Sequence, residues 1–145
     1  MKQLREARLG ASLIAAVQRV THLAARHLER ELAGLQLGQA EAHILAHLSG
    51  AGMGTIAQLH RGFGHRRSTL TSILDRLEKR GLLIRTTDRA DRRSVRVTLT
   101  SKGKRAAGRV AHAVRQVETR VLSQVSAEAA SGFWQTIAAL ERSLQ

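Results

Sequence analysis

The chain has 145 residues, enough for one domain with a hydrophobic core, and 24 Lys and Arg against 11 Asp and Glu give a formal net charge of +13. It contains no Cys, which excludes disulfide bonds, thiolate metal sites and a cysteine redox switch. Aromatic residues make up only 2%, too few for the base-stacking platforms of proteins that bind single-stranded nucleic acid.

The first predicted element is an amphipathic helix over residues 3–32. Leu13, Val17 and Val20 recur at steps of three and four, so the helix has one apolar face that needs a partner surface. Arg19 interrupts the apolar stretch near the N terminus, and no run approaches the length of a membrane span. We therefore expect neither a signal peptide nor a membrane anchor, but a cytoplasmic protein.

Two helices with glycine-rich connections are predicted next. The first covers residues 39–49, with Ile44, Leu45 and Leu48 facing inward. The glycines of segment 50–54 end it, and with so many of them the sequence leaves a short strand there open. A short helix over residues 55–61 follows, and the sequence Gly-Phe-Gly at 62–64 predicts a tight turn after it.

The fourth predicted helix runs from about Arg66 to Arg80 and ends at Gly81, a residue type suited to a left-handed C-terminal cap. Its apolar residues fall at the spacing i, i+3, i+4, i+7 and predict one buried stripe: Leu70, Ile73, Leu74 and Leu77. Its first turn carries arginines and short hydroxyls, groups that can contact base edges when a helix enters the major groove. Asp75 and Glu78 are expected to pair with the neighbouring Lys79 and Arg80.

A β-hairpin is predicted from residues 82–86 and 94–100, in which Val95, Val97 and Leu99 alternate with polar residues. Its tip, residues 87–93, has three arginines and no large apolar side chain. One interpretation is a solvated turn whose aspartates bind local amides and arginines. We favour the other, a wing that places an arginine in the minor groove.

Positive charge is concentrated in this part of the chain. Residues 61–105 contain 14 basic and 4 acidic residues, a net +10, which leaves only +3 for the rest. Such a concentration is typical of a surface that faces phosphates. The predicted fold is therefore mainly α with a small β-hairpin wing: a winged helix-turn-helix that binds duplex DNA, with helices on either side.

Two C-terminal helices complete the chain. Ser101 is expected to cap a helix that reaches Leu122, and Gly108 within it indicates a close crossing or a tolerated cost. Ser126 is expected to open the last helix, which carries Phe133. We predict one domain over residues 1–145 with a DNA-binding unit at about 39–105. The helices of about 1–38 and 106–145 could extend one monomeric core, but we favour a homodimer in which the terminal helices of two chains interdigitate. A two-fold dimer places the two DNA-contacting helices roughly 34–36 Å apart.

Several spaced motifs in this region resemble the MarR family of bacterial transcription regulators (multiple antibiotic resistance regulators). They are STLT at 68–71, LDRLEKRGL at 74–82, Asp88 with Asp-Arg-Arg at 91–93, and LTSKG at 99–103. The resemblance implies a homodimer that binds palindromic operator DNA, usually as a repressor, and that is often released by a small, phenolic-type ligand. One departure is the sequence His-Arg-Arg at 65–67, which lacks the side-chain acceptor usual at the start of the DNA-contacting helix.

The residues expected to contact DNA form three groups. The major-groove group consists of first-turn residues of the fourth helix: Arg67, Ser68, Thr69, Thr71 and Ser72, of which Thr69 could instead face a phosphate. The wing group consists of the tip arginines Arg89, Arg92 and Arg93, with Asp91 expected to brace one of them. The phosphate group consists of flanking cations: Arg66, Arg76, Lys79, Lys102 and Lys104.

Other functions are weaker hypotheses. His43 and His47 share a helix face, but with no Cys we expect neither a metal site nor a cofactor. His22 and His43 could instead border a pocket for the ligand, by the geometry of the resembled family. No catalytic motif is present, so we expect no enzyme. The alternative is an architectural protein that coats DNA, which would lack the specificity ratio of about 10³ or more of a regulator.

Overall fold

The computed structural model describes residues 12–64, 66–88 and 91–144, so the predicted first turns of the N-terminal helix lie outside the described residues. The chain is mainly helical with one small antiparallel sheet, which confirms the predicted fold class. It divides into two compact units, residues 1–110 and 111–145.

The first unit holds most of the secondary structure. Its elements in chain order are α1 (Leu13–Glu31), a 3-10 turn (Ala33–Leu35), α2 (Gln39–Ala51), β1 (Met53–Thr55), α3 (Ile56–Phe63), α4 (Arg67–Lys79), β2 (Leu83–Thr87), β3 (Val95–Leu99) and the start of α5 (Ser101–Leu122). The second unit contains the rest of α5 and all of α6 (Ala127–Ser143).

The sheet has the strand order β1-β3-β2, and every pair is antiparallel. Val97 of β3 lies opposite Gly54 on one side and Arg85 on the other. The glycine-rich segment, where the sequence left a strand open, therefore does form one, β1. Gly54 is buried, and a Cβ there would lie 3.5 Å from Leu48 and 3.8 Å from Leu59, which is ordinary van der Waals contact, so this strand packs directly against side chains of α2 and α3.

The core of the first unit lies where the helices cover the sheet. Its fully buried side chains come from every layer of this unit: Ile44, Leu45, Leu48, Leu59, Leu70, Leu74, Leu77, Leu83, Val97 and Val110. The predicted apolar stripe of α4 is buried at all four positions. Because the stripe faces inward, the polar faces of α4 lie on the surface.

The end of α4 is joined closely to the start of α5. Gly81 has φ +66°, the left-handed conformation predicted for it. Thr100, rather than the expected Ser101, caps α5, because its Oγ1 accepts a hydrogen bond from the backbone N of Gly103 at 3.0 Å. A Cβ on Gly103 would overlap the carbonyl oxygen of Leu82, so the chain needs glycine there.

In the second unit α6 begins as predicted, with Oγ of Ser126 accepting from the backbone N of Ala129 at 3.2 Å. Phe133 and Trp134 pack edge to face on α6 with ring centroids 5.4 Å apart, yet they remain 56% and 68% exposed. Apart from its own helix backbone, no described atom lies within 4 Å of a Cβ built on Gly108, so no close crossing within the described part of the chain explains it. Among the described helices, none has the length and apolarity to cross a membrane.

Candidate nucleic-acid interface

The helix-turn-helix is formed by α3 and α4. The start of α3 is fixed by a capping box: Oγ1 of Thr55 accepts from the backbone N of Gln58 at 3.2 Å, and Oε1 of Gln58 accepts from the backbone N of Thr55 at 2.8 Å. The helix ends at Gly64, whose φ of +61° turns the chain towards α4.

The first turn of α4 presents a polar, exposed surface. Arg66 occupies the cap position and provides no side-chain hydrogen bond to the helix amides, as the sequence predicted. Oγ1 of Thr71 donates to the carbonyl of Arg67 at 2.9 Å, and Oγ of Ser72 donates to that of Ser68 at 3.0 Å. All five residues expected in the major groove are exposed: Arg67, Ser68, Thr69, Thr71 and Ser72.

The wing is a turn closed by its own backbone. The backbone N of Asp88 donates to the carbonyl of Ser94 at 2.9 Å, and Oδ1 of Asp91 accepts from the backbone N of Arg93 at 3.0 Å. Asp91 thus holds the main chain at Arg93, and its bracing of an arginine side chain stays a prediction. Arg92 and Arg93 are exposed, whereas Arg89 lies outside the described residues.

A groove connects α3, the start of α4 and the wing. Its volume is about 540 Å³, and its lining includes Arg67 and Thr71 of α4 and Arg93 of the wing. Leu70 and Val95 contribute apolar surface to it. The structure therefore brings together residues that the sequence analysis assigned separately to the major groove and to the wing.

The two carboxylates of α4, those of Asp75 and Glu78, both bind Arg85 of β2. Arg85 of β2 donates from NH2 to Oδ1 of Asp75 at 2.6 Å and from Nε to Oε2 of Glu78 at 2.9 Å. Its backbone N also donates to Oε1 of Glu78 at 3.0 Å. The expectation that these two acids pair with Lys79 and Arg80 is wrong, because the strand that follows Gly81 brings Arg85 beside them.

This cluster shifts the protonation equilibria of both partners. The hydrogen bonds from the side chain of Arg85, with those from its backbone, hold the pKa of Glu78 below its ordinary value. The hydrogen bond to Glu78, and a weaker one to Asp75, raise the pKa of Arg85. Both effects favour the ion pair that joins α4 to β2.

A second ion pair lies at the base of the wing, where NH2 of Arg96 is 2.7 Å from Oδ2 of the nearly buried Asp88. All four acidic residues of the basic region are thus bound to the protein framework. Within the ranges that the structure describes, Arg66, Arg67, Arg92 and Arg93 form no ion pair. Their positive charge is not neutralised locally, and it faces solvent.

Two of the predicted phosphate-binding cations have partners in the protein. Nε of Arg76 lies 2.9 Å from Oε1 of Glu41, and Nζ of Lys102 donates to the carbonyl of Arg80 at 2.9 Å. Three others are exposed: Arg66, Lys79 and Lys104. No local sequence pattern predicts the pair of Glu41 and Arg76, because the two residues are 35 positions apart.

The histidines show no metal-binding arrangement. His22 on α1 and His43 on α2 are both exposed, and the ring of His47 packs edge to face on Phe63 with centroids 5.3 Å apart. Across residues 12–64, 66–88 and 91–144, no three His, Asp or Glu side chains lie together as a metal site would require. A ligand pocket beside His22 and His43 stays a prediction.

The sequence from residue 37 to 95, which covers α2 through the wing, matches the model of the MarR family. This part of the chain is therefore similar to a MarR-family domain. MarR-family proteins are DNA-binding transcription regulators and not enzymes. No curated protein sequence matches the chain.

Solved structures share the MarR-type fold along nearly the whole chain. The MepR–DNA complex of S. aureus is 20% identical, with a TM-score of 0.81 over 93% of this chain and 99% of MepR. Reduced AbfR bound to DNA is 23% identical, with a TM-score of 0.73 over 100% of this chain and 99% of AbfR. At these identities the similarity establishes the fold.

The organohalide-sensing transcriptional regulator RdhR, in its 2,4-dichlorophenol-bound form, is 25% identical to the chain. Its TM-score is 0.74 over 90% of this chain and 78% of RdhR.

Proposed function

We propose that this chain is a sequence-specific repressor that binds a palindromic operator in duplex DNA as a homodimer. In this proposal the start of α4 enters the major groove with Arg67, Ser68, Thr69, Thr71 and Ser72. The wing arginines Arg89, Arg92 and Arg93 approach the adjacent minor groove. Phosphates are contacted by the flanking cations Arg66, Arg76, Lys79, Lys102 and Lys104. The proposed place of action is the bacterial cytoplasm, where the DNA lies.

The observation that carries the proposal is the shared groove of α4 and the wing. Arg67, Thr71 and Arg93 line it together, so one DNA duplex could be contacted by helix and wing at once. Asp75, Glu78 and Asp88 are bound to Arg85 and Arg96, and Asp91, which lines the groove, accepts from the backbone N of Arg93. Among the described residues, no ion pair is formed by the arginines at the start of α4 or by those that follow Asp91: Arg66, Arg67, Arg92 and Arg93. Such a surface favours polyanion binding with strong salt dependence.

The homodimer is supported by exposed apolar side chains in each of the two units. On α1, Val20 and Leu23 are 61% and 50% exposed, and on α6 Phe133 and Trp134 are exposed to a similar degree. Contiguous apolar faces of this kind are rarely left in water and mark association surfaces. A second copy of the chain is the partner that a two-fold symmetric operator requires.

A small phenolic-type ligand is the proposed signal for release from DNA. The 2,4-dichlorophenol-bound form of RdhR, a regulator of the same fold, supports this ligand class. His22 and His43 are the proposed pocket residues. Each imidazole is exposed and could donate a hydrogen bond to the oxygen of a phenol or accept one from its O–H.

The test is selection of duplexes bound by the purified protein from a pool of random sequence. The proposal expects a two-fold symmetric consensus whose half-sites lie about one helical turn apart, bound about 10³-fold or more tightly than random duplex. Enrichment without a consensus would instead indicate an architectural protein that coats DNA. Light scattering of the free protein tests the dimer: a mass equal to one chain at micromolar concentration would contradict it.

A further inference from the structure

We propose that Glu41 is a positioning residue for DNA binding: through Arg76 and Arg80 it fixes α4 relative to the turn between α1 and α2. This inference rests on the proposed function, since it concerns how the DNA-contacting helix is held. None of the three side chains lines the groove of α4 and the wing. Glu41 and Arg80 would therefore affect DNA through the position of the helix, whereas Arg76 is also one of the proposed phosphate contacts and is held in place by Glu41.

Glu41 is a buried charge with three donors. Its residue is only 5% exposed. Oε1 lies 2.9 Å from Nε of Arg76, and Oε2 lies 3.3 Å from NH1 of Arg80 and 3.0 Å from the backbone N of Gly38. Arg76 and Arg80 are one turn apart on α4 and its cap, so one carboxylate holds the C-terminal half of the helix at two points. A buried carboxylate with this set of donors has little freedom to move.

Arg80 extends the connection to the turn before α2. Its NH1 also donates to the carbonyl of Gln36 at 2.9 Å, and its NH2 donates to that of Leu35. Gln36 has φ +49°, in the left-handed region that is unfavourable for a residue other than glycine. The turn is therefore held in an unfavourable conformation while Arg80 binds its carbonyls. A change in the turn would be passed to α4 through Arg80.

Two roles of Glu41 can be separated by one substitution. Its hydrogen bond to the backbone N of Gly38 caps α2, and glutamine performs the same function in a capping box. Glu41→Gln therefore keeps the cap and the volume of the side chain but removes the charge that binds Arg76 and Arg80. The matched control is Glu118→Gln, which removes one negative charge from an exposed position on α5.

The experiment measures affinity for the selected consensus duplex and for a random duplex, with wild type and both variants at one salt concentration. Loss of a negative charge alone should strengthen binding to either DNA, and this is the result expected for Glu118→Gln. For Glu41→Gln we expect weaker binding to the consensus duplex. The ratio of consensus affinity to random affinity should fall about tenfold. A merely destabilised protein would lose active molecules, which lowers binding to both duplexes and leaves the ratio unchanged.

A second variant makes the interpretation independent of any one substitution. Arg80→Gln should lower the same ratio, and the double variant with Glu41→Gln should lose less than the sum of the two, because both remove one interaction. Full additivity, or a Glu41→Gln ratio equal to that of wild type, would overturn the positioning role. A wild type that prefers no duplex would overturn the proposed function itself, and the inference with it.

Discussion

Arg96 and Asp88 close the base of the wing with two hydrogen bonds to one oxygen: Nε and NH2 of Arg96 donate to Oδ2 of Asp88 at 3.0 Å and 2.7 Å. The pair lies where the hairpin leaves the sheet. It therefore supports the part of the wing that carries Arg92 and Arg93.

Replacing Asp88 should weaken the folded state, because the substitution leaves the guanidinium of Arg96 without its carboxylate partner. For Asp88→Ala we expect a loss of about 1–3 kcal/mol in the free energy of unfolding, measured by urea titration. The exposed Asp91 provides the control, since only its contact with the backbone N of Arg93 is lost in Asp91→Ala. Equal losses of unfolding free energy from the two substitutions would mean that the ion pair of Asp88 and Arg96 adds no stability beyond that of a surface contact.

The cluster of Glu78 and Arg85 should make stability depend on pH in the acid range. Because folding lowers the pKa of Glu78, its contribution to stability is fully present above the ordinary pKa of 4.5 and is lost as the pH falls through the lowered value. The difference in unfolding free energy between wild type and Glu78→Gln should therefore be largest near neutral pH and shrink below about pH 4.5. Urea titrations from pH 7 to pH 3 measure it, and Arg85→Gln should remove the same pH-dependent part. A difference that stays constant over this range would argue against the ion pair.

The wing arginine Arg93 should be needed for DNA binding, whereas a distant arginine should not. Arg93→Ala is expected to weaken binding to the selected consensus strongly, and to reduce the slope of log K against log salt by about 0.9 if the side chain contacts a phosphate. Arg142, exposed in the last turn of α6, is the control with the same change in charge. Fluorescence anisotropy at several salt concentrations gives both quantities. Similar losses for Arg93→Ala and Arg142→Ala would contradict the wing assignment.

Replacement by alanine should change the free energy of unfolding in opposite directions at two glycines of α5, Gly103 and Gly108. Gly103→Ala forces a Cβ against the carbonyl oxygen of Leu82, so we expect the free energy of unfolding to fall by about 1–3 kcal/mol. Gly108→Ala meets no described atom within 4 Å and should stabilise the helix by about 0.5–1 kcal/mol. Thermal unfolding of the two variants beside wild type is the measurement. A Gly103→Ala protein as stable as wild type would show that the backbone can move apart at this point.

The helices and the hairpin could be predicted because each depends on local sequence. The spacing of Leu70, Ile73, Leu74 and Leu77 predicted a helix with one buried face, and Gly81 predicted where it ends, since both signals lie within a few residues of the structure they determine. Strand β1 was left open because its stability comes from pairing with β3, more than 40 residues later, and no local propensity reports such a pairing.

The candidate site shows the same division between local and distant information. The exposed hydroxyls and arginines of α4 follow from helix periodicity, but the partners of the charged residues do not. Glu78 lies next to Lys79 in sequence and yet binds Arg85, and Glu41 binds Arg80 across 39 positions. Which arginines stay exposed for DNA therefore depends on tertiary contacts that composition and spacing cannot specify.

The junction around Leu82 has a mechanical consequence. The carbonyl of Leu82 accepts from the backbone N of Thr100 at 3.1 Å and stands against Gly103, while Oγ1 of Thr100 donates to the carbonyl of Gly81 at 2.7 Å. The contacts of the Leu82 carbonyl with Thr100 and Gly103 join main chain directly to main chain, and Nζ of Lys102 adds a hydrogen bond to the carbonyl of Arg80. A displacement of the first turn of α5 must therefore move the end of α4 as well, so the two helices shift together at this junction.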